Sequence, residues 1–287
     1  MRPTQLNVAE VARLRGNITS SVLPTMFLGS WRRRRYGLSM LFVATTVCAI
    51  GFGAWRYVHR VNAAKAEYNT AQGFHWALYG LAEWDAKLGR LPKSVVRDSA
   101  DTPLSSWRFL VAWSHTTAMQ HEADYRRHWN AAPNAQLASN CDVGGAFCIG
   151  SEWSGRSCFE TNVMAVVGPG TAFDDAVVQT LASLEPDQIV LVEVSQTDVH
   201  WMEPGDVDVE EVEELLKAKS GRRIGGNFPQ GFHVAFADGE VWFLRADVPY
   251  QRLAKFLTKS SAKAHRREAV LEPYMLDIER ERKWMLN

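Results

Sequence analysis

The residues best equipped for chemistry lie in two stretches. Val166-Val167-Gly168-Pro169-Gly170-Thr171-Ala172-Phe173 leaves an apolar run and sets two glycines around a proline, a backbone of the kind that can cradle a phosphate with its N–H groups. A nucleotide loop also needs either a Gly-x4-Gly-Lys-Ser/Thr run or a third glycine opening a helix. This chain has neither, and Pro169 removes one donor. The stretch therefore reads as a Pro-Gly turn leaving a strand, with Gly170 at positive φ. In the second stretch, His200, Glu203 and Asp206 in VHWMEPGD, with Glu193 on the preceding strand, combine imidazole and carboxylates able to hold a divalent cation at a strand end. The ordinary alternative is structural: Glu193 and Glu203 satisfy backbone donors and Trp201 packs. His115 and His121 form a weaker pair of the same kind. No residue is assigned a catalytic, cofactor-binding or metal role on this basis.

Other chemistries find less support. The histidines, His59, His75, His115, His121, His128, His200, His233 and His265, sit in no Gly-x-Ser-x-Gly context and in no Cys-His spacing. Cys48 lies in an apolar run, whereas Cys141, Cys148 and Cys158 cluster within one short stretch. Their spacing suits no standard zinc pattern, and two of the three are expected to pair in an oxidising compartment, leaving one thiol over. Eleven tryptophans could furnish a glycan surface, but tryptophan at helical or strand spacing usually belongs to the core. The interleaving in DYRRHW (Asp124–Trp129) is too short to argue nucleic acid, and the 32 basic residues match the 32 acidic ones. No global field recruits a polyanion.

The elements that would position these residues begin with a membrane address. Residues 1–35 hold seven arginines against the single acid Glu10, and Arg32 to Arg35 run together. Tyr36 to Trp55, YGLSMLFVATTVCAIGFGAW, carries no formal charge, and as a helix it would span about 30 Å. Trp31, Tyr36, Trp55 and Tyr57 flank it as interfacial aromatics do. The expected topology is a basic cytoplasmic segment (1–35), a transmembrane helix in lipid (36–58), an extracytoplasmic domain (59–250) and a charged helical tail (251–287). A cleaved signal peptide ending near Gly51 or Gly53 is the competing reading.

Beyond the span, Val58, Val61, Ala64, Tyr68, Ala71, Phe74, Leu78, Leu81 and Trp84 recur at helical steps. One helix is predicted from 36 to about 88, stopped by Gly89 and Pro92, with its outer half laid on a sheet. Strands are expected at Asn162–Val167, Gln188–Val194 and within Phe232–Leu244, where Asp238-Gly239 predicts a two-residue type I′ hairpin. Val207–Lys217 reads as a helix with acids in its first turns, and another helix starts at Pro249. The tail after Ser260 reads as solvated.

Read in order, SSWRFL (Ser105–Leu110), TNVMAVVGPGTAF (Thr161–Phe173), IVLVEVSQTDVHWMEPGDV (Ile189–Val207) and GFHVAFADGEVWFL (Gly231–Leu244) resemble a large bacterial family of prepilin-like, membrane-anchored proteins defined by a domain of unknown function. The resemblance covers roughly residues 60–250. It implies an α+β, pilin-like fold in which a long N-terminal transmembrane-plus-amphipathic helix packs on an antiparallel sheet. The chain departs from the family twice. The signature histidine, ten residues before Asp238, falls on Phe228, while His233 stands where the family's first strand usually has asparagine. The glutamate expected at the fifth position after Gly37 is Phe42. Filament assembly uses that carboxylate to offset a buried ammonium, so the departure implies an anchored relative rather than a processed subunit. The expected function is non-enzymatic: a structural or interaction component of a secretion, pilus-like or envelope assembly at the bacterial inner membrane, without cofactor or nucleic acid. The alternatives are an anchored binding module for glycan or a divalent cation and, among enzymes, a divergent hydrolase.

Overall fold

A computed structural model describes residues 38–115, 117–139, 147–148 and 159–276, with the backbone alone at 38–44, 59–60, 63–64 and 117–118. The arginine block, Tyr36, Cys141 and Cys158 lie outside the described residues. The chain divides into two compact units, Met1–Tyr57 and Val58–Asn287.

Helix α1 (Leu38–Leu88) runs without interruption and ends as predicted: Gly89 takes φ 66° and its N–H reaches Asp85 O at 2.7 Å, a left-handed stop that costs glycine nothing. From Thr45 to Trp55 the helix is uncharged and exposed, with Val47, Ile50, Phe52 and Trp55 all more than half accessible. Among the described residues no helix is long and apolar enough to cross a membrane. The predicted span begins before those residues, and its first described side chain is Thr45.

In the second unit, β1 (Val95–Arg97) and β2 (Pro103–Ser106) form a small ribbon, followed by α2 (Trp107–His115), α3 (Thr117–Glu122) and α4 (Asn134–Ala138). The main sheet contains β3 (Val163–Val167), β4 (Ile189–Ser195), β5 (Val207–Asp208), β6 (Arg223–Ile224), β7 (Gly231–Phe236) and β8 (Val241–Arg245) in the order β5-β3-β4-β7-β8, with β6 on the end of β4. The fold is mixed α+β. Every pairing is antiparallel except β3 with β5, so the expected antiparallel sheet is in fact mixed. The predicted helix at 207–217 therefore begins late. Val207 is buried and pairs with Val166, and only Val212–Lys217 (α5) is helical.

Alternation decides what each sheet face meets. Val163, Ala165, Val190 and Ala235 join Phe74, Ala77, Leu78 and Leu81 of α1 and Trp107, Phe109 and Val111 of α2 in one core. The stripe expected on α1 holds only from Phe74 onward; Val58, Val61 and Tyr68 are exposed, and Ala66 and Thr70 turn inward instead. The opposite face, Met164, Val166, Val192, Val194, Val234 and Phe236, forms a second core with residues of the C-terminal segment. That segment comprises α6 (Tyr250–Leu253), α7 (Lys259–Lys263) and α8 (Arg267–Leu271), and it is not a solvated tail: Leu253, Phe256, Leu257, Ala262, Val270 and Leu271 are all buried. Leu276 N–H then bonds Phe243 O at 2.9 Å along the edge of β8.

The Asp238-Gly239 hairpin forms where expected, but with a different turn. Gly239 alone in the loop has positive φ, 96°; its N–H reaches Phe236 O, and Phe236 N–H reaches Glu240 O. This is a three-residue loop with a glycine bulge. It frees the Asp238 carboxylate to grip Arg267, whose Nη1 donates to Oδ1 at 2.9 Å and whose guanidinium lies over Phe236 at 4.7 Å and Trp242 at 5.2 Å. Partial burial pushes the Asp238 carboxyl up, but the Arg267 and Glu240 hydrogen bonds outweigh it and hold it below its ordinary value. Arg267 thus fastens the C-terminal segment to the hairpin. Arg267→Ala is expected to cost about 2–3 kcal/mol and to raise the unfolding rate, measured by urea denaturation of the full chain in detergent. A loss below roughly 0.5 kcal/mol would mean the clamp is ornamental.

Candidate functional site

Besides the Arg267 clamp, three side-chain groups of the second unit hold residues singled out in the sequence, two of them buried and the third half-buried. The first centres on Arg108, fully buried although α2 starts only one residue earlier. All five of its N–H groups have oxygen acceptors: Trp201 O (3.1 Å), Val163 O (3.4 Å), Asp206 Oδ1 (2.7 Å), Glu203 O (3.0 Å) and Gly205 O (3.0 Å). Asp206 Oδ1 also accepts Ala165 N–H at 2.8 Å and Trp107 Nε1–H at 3.1 Å. Burial pushes its carboxyl above the ordinary value against the pull of Arg108 and these donors. β5 covers only Val166 and Val167 of β3. Along the rest of that edge the ion pair replaces a strand, with the carboxylate taking the Ala165 N–H and the guanidinium the Val163 carbonyl. An unpaired strand edge is a template for aggregation, and the pair closes it.

The second group joins Glu193 of β4 to His233 of β7, both essentially inaccessible. Glu193 Oε2 lies 2.7 Å from His233 Nδ1 and accepts His233 N–H at 3.0 Å; Oε1 accepts Asn227 Nδ2–H at 2.8 Å. Phe74, Phe228 and Phe243 surround the imidazole with centroids 5.9, 5.7 and 4.6 Å away. Phe228 and His233 are therefore ring neighbours.

The third group is a stack of rings. His200 stacks with Trp129 (4.6 Å, 18°) and with Phe159 (5.7 Å, 17°), and His128 stacks with Trp129 at 6.0 Å. Trp129 N–H also anchors to Leu104 O at 2.8 Å.

This geometry places each residue singled out in the sequence. His200, Glu203, Asp206 and Glu193 do not converge: Asp206 belongs to Arg108, Glu193 to His233, and Glu203 Oε2 accepts His200 N–H at 3.2 Å. Among the described residues no three histidine, cysteine, aspartate or glutamate side chains are placed to hold a metal ion. His115 pairs with Glu83 at 2.9 Å rather than with His121. The Gly168-Pro169-Gly170 stretch is a turn, with Gly168 and Gly170 at φ 119° and 76° and Gly170 N–H tied to Asp174 Oδ2 at 2.9 Å. Trp107 and Trp201 are fully buried and Trp84 nearly so; Trp76, Trp113, Trp129 and Trp242 pack against the cores. In DYRRHW, Arg126 covers the Tyr125 ring and Arg127 pairs with Asp124. Arg108 and Arg267 were not recognisable as buried clamps, because arginine is ordinarily solvated. The only sequence cue was that Arg108 sits inside the apolar run WRFLV.

Cys148 is a buried free thiol, and its expected partners lie outside the described residues. Burial pushes its pKa up to about 12, with Arg108 opposing. In the folded protein at pH 8 its alkylation by iodoacetamide is expected to be slower by on the order of a thousandfold than in urea. Peptide mass spectrometry reads this directly, and labelling at the unfolded rate would show the thiol to be accessible.

Comparison with protein-family models, curated proteins and solved structures finds no match to this chain.

Proposed function

We propose that the chain is a single-span membrane-anchored protein whose second unit is a non-catalytic, pilin-like interaction domain serving a secretion, pilus-like or envelope assembly at the bacterial inner membrane. One observation carries the anchor. From Thr45 to Val58 every side chain of α1 is exposed, and the large ones include Val47, Ile50, Phe52, Trp55, Tyr57 and Val58. A helical stretch that is uncharged from Thr45 to Trp55 and left exposed by the described residues needs another apolar medium. The described side chains cover residues 45–55 of the predicted span, and the uncharged run continues back to Tyr36. The basic block before it favours a cytoplasmic N-terminus.

The pilin-like reading rests on the course of α1, whose Phe74–Leu81 stretch lies on the sheet, and on the β7–β8 hairpin following β3 and β4 in chain order. The second core, under α6–α8, is an addition to the simple helix-on-sheet plan. A non-catalytic role is supported by the use made of the reactive side chains: Glu193, His233, Arg108, Asp206 and His200 each hold elements together through the bonds described above.

The test is alkaline carbonate extraction of vesicles carrying a C-terminally tagged chain, with protease accessibility of the tag from either side and crosslinking before pull-down. Retention in the membrane, digestion from the extracytoplasmic side and recovery of envelope or secretion components are expected. Release by carbonate, or digestion only from the cytoplasmic side, sinks the topology. Val47→Arg, which places a charge near mid-span at roughly 2–3 kcal/mol, should lower the retained fraction.

A further inference from the structure

We propose that His200 is a pH latch: as the neutral ring it bolts the segment around residues 128–139 to the turn at 199–206, and proton uptake ejects it and frees that segment. Its two nitrogens are committed by partners that cannot exchange roles. Met202 N–H donates to Nδ1 at 3.1 Å, so Nδ1 carries a lone pair. Nε2 faces Ala138 O at 3.0 Å, so Nε2 carries the hydrogen. A backbone amide only donates and a carbonyl only accepts, and the tautomer follows. The second proton would have to go on Nδ1, where it would point at the Met202 N–H. Met202 is fully buried and the ring half-buried, so the ring cannot accept that proton and stay in place without setting two donors against each other and leaving the Met202 N–H without its acceptor.

What gives way is set by the other tethers. The 199–206 turn is held independently by Arg108 at Trp201 O, Glu203 O and Gly205 O and by Ser106 N–H at Met202 O. The 128–139 side loses the Ala138 bond and the Trp129 stack together. It keeps Trp129 N–H on Leu104 O, the Asn134 bonds to Asp124, Arg127 and His128, and the buried Leu137, so the loosening is greatest at the Ala138 end. The charged and titratable groups around the ring come from every element that packs on it. Glu203 meets it through the His200 N–H and favours the cation; Arg108 disfavours it. Glu160 pairs with His200 through backbone alone, and its Oε1 is taken up by the N–H groups of Thr197 and Asp198. His128 stacks with Trp129 and has its Nδ1 on Asn130. Burial is the largest influence and lowers the His200 pKa from its ordinary 6.5. The closed form thus binds fewer protons than the open one. Closure is complete above about 6.5 and weakens as pH falls from there toward the depressed value.

The experiment uses the full chain in detergent or nanodiscs and combines hydrogen exchange of peptides covering residues 128–139 with an NMR titration of the His200 ring. Corrected for intrinsic exchange, opening of this segment should rise about tenfold per pH unit below about 6.5, in step with the ring's protonation and from the Nε2–H tautomer. His200→Phe keeps the stack without the proton and should give a pH-independent profile. A ring that titrates at or above 6.5, starts as the Nδ1–H tautomer, or titrates without any change in exchange overturns the latch, as does the same pH trend in His200→Phe. If that variant does not fold, the wild-type titration and exchange decide between these outcomes by themselves.

Discussion

Arg108→Ala is expected to be among the most damaging single substitutions in the second unit, costing about 3–5 kcal/mol, because it leaves a buried carboxylate uncompensated. Asp206 is already above its ordinary pKa through burial, and without the guanidinium only the neutral Ala165 N–H and Trp107 Nε1–H are left to offset that desolvation. Four carbonyls, of Trp201, Val163, Glu203 and Gly205, also lose a donor, although the Ser106 and Thr161 hydroxyls still reach the first two. Arg108→Lys keeps the charge but offers three donors on one atom instead of a planar fork of five, so it should recover less than half of the loss. The variants should also differ in aggregation. The Val163 and Ala165 edge of β3 is closed by this pair, and opening it should make the alanine variant self-associate well before it unfolds. Urea unfolding of the full chain in detergent, followed by far-ultraviolet circular dichroism, gives the stability, and light scattering gives the association. A cost under roughly 1 kcal/mol would mean that the arginine is only a spectator of the edge.

The parts of this fold that could be read from sequence are those where one local pattern suffices. β3, β4 and the β7–β8 pair were legible because β-branched runs flanked by turn residues leave few other options, and α1 was legible because its apolar residues recur over many turns. The hairpin's turn type was not. Asp-Gly favours two positive φ values, yet Asp238 keeps an ordinary one because its carboxylate is engaged by Arg267 from a segment about thirty residues away. The C-terminal core failed for a related reason: Leu253, Phe256, Leu257, Val270 and Leu271 are scattered through short turns among lysines and arginines, so no single period marks them as buried. At the site, Glu193, His200 and Asp206 were picked out as chemically capable, but their partners, His233, Ala138 and Arg108, lie 40, 62 and 98 residues away. A shared ligand looked plausible along the chain, and three separate structural pairings exist in space.

Glu193→Ala should match the Arg108 variant in cost, at about 3–5 kcal/mol, for a different physical reason. Here what is left behind is a buried pair of donors, the His233 ring and its backbone N–H, both of which point at Glu193, while the Asn227 amide also loses one bond. The surrounding Phe74, Phe228 and Phe243 rings offer no oxygen to replace it, so each orphaned donor carries its desolvation cost. His233→Phe removes the imidazole donor while filling the aromatic box, and Glu193 keeps two of its three bonds, so its loss should be smaller, about 1–3 kcal/mol. The double variant distinguishes a pairwise bond from a general packing defect. If the contact is what matters, the two losses are strongly non-additive, with a coupling of about 1–3 kcal/mol. Because Phe74 belongs to α1 and Phe243 to β8, loosening this box should raise hydrogen exchange on both elements together. Additive losses, or exchange confined to β4, would show that the pair does not join helix to sheet.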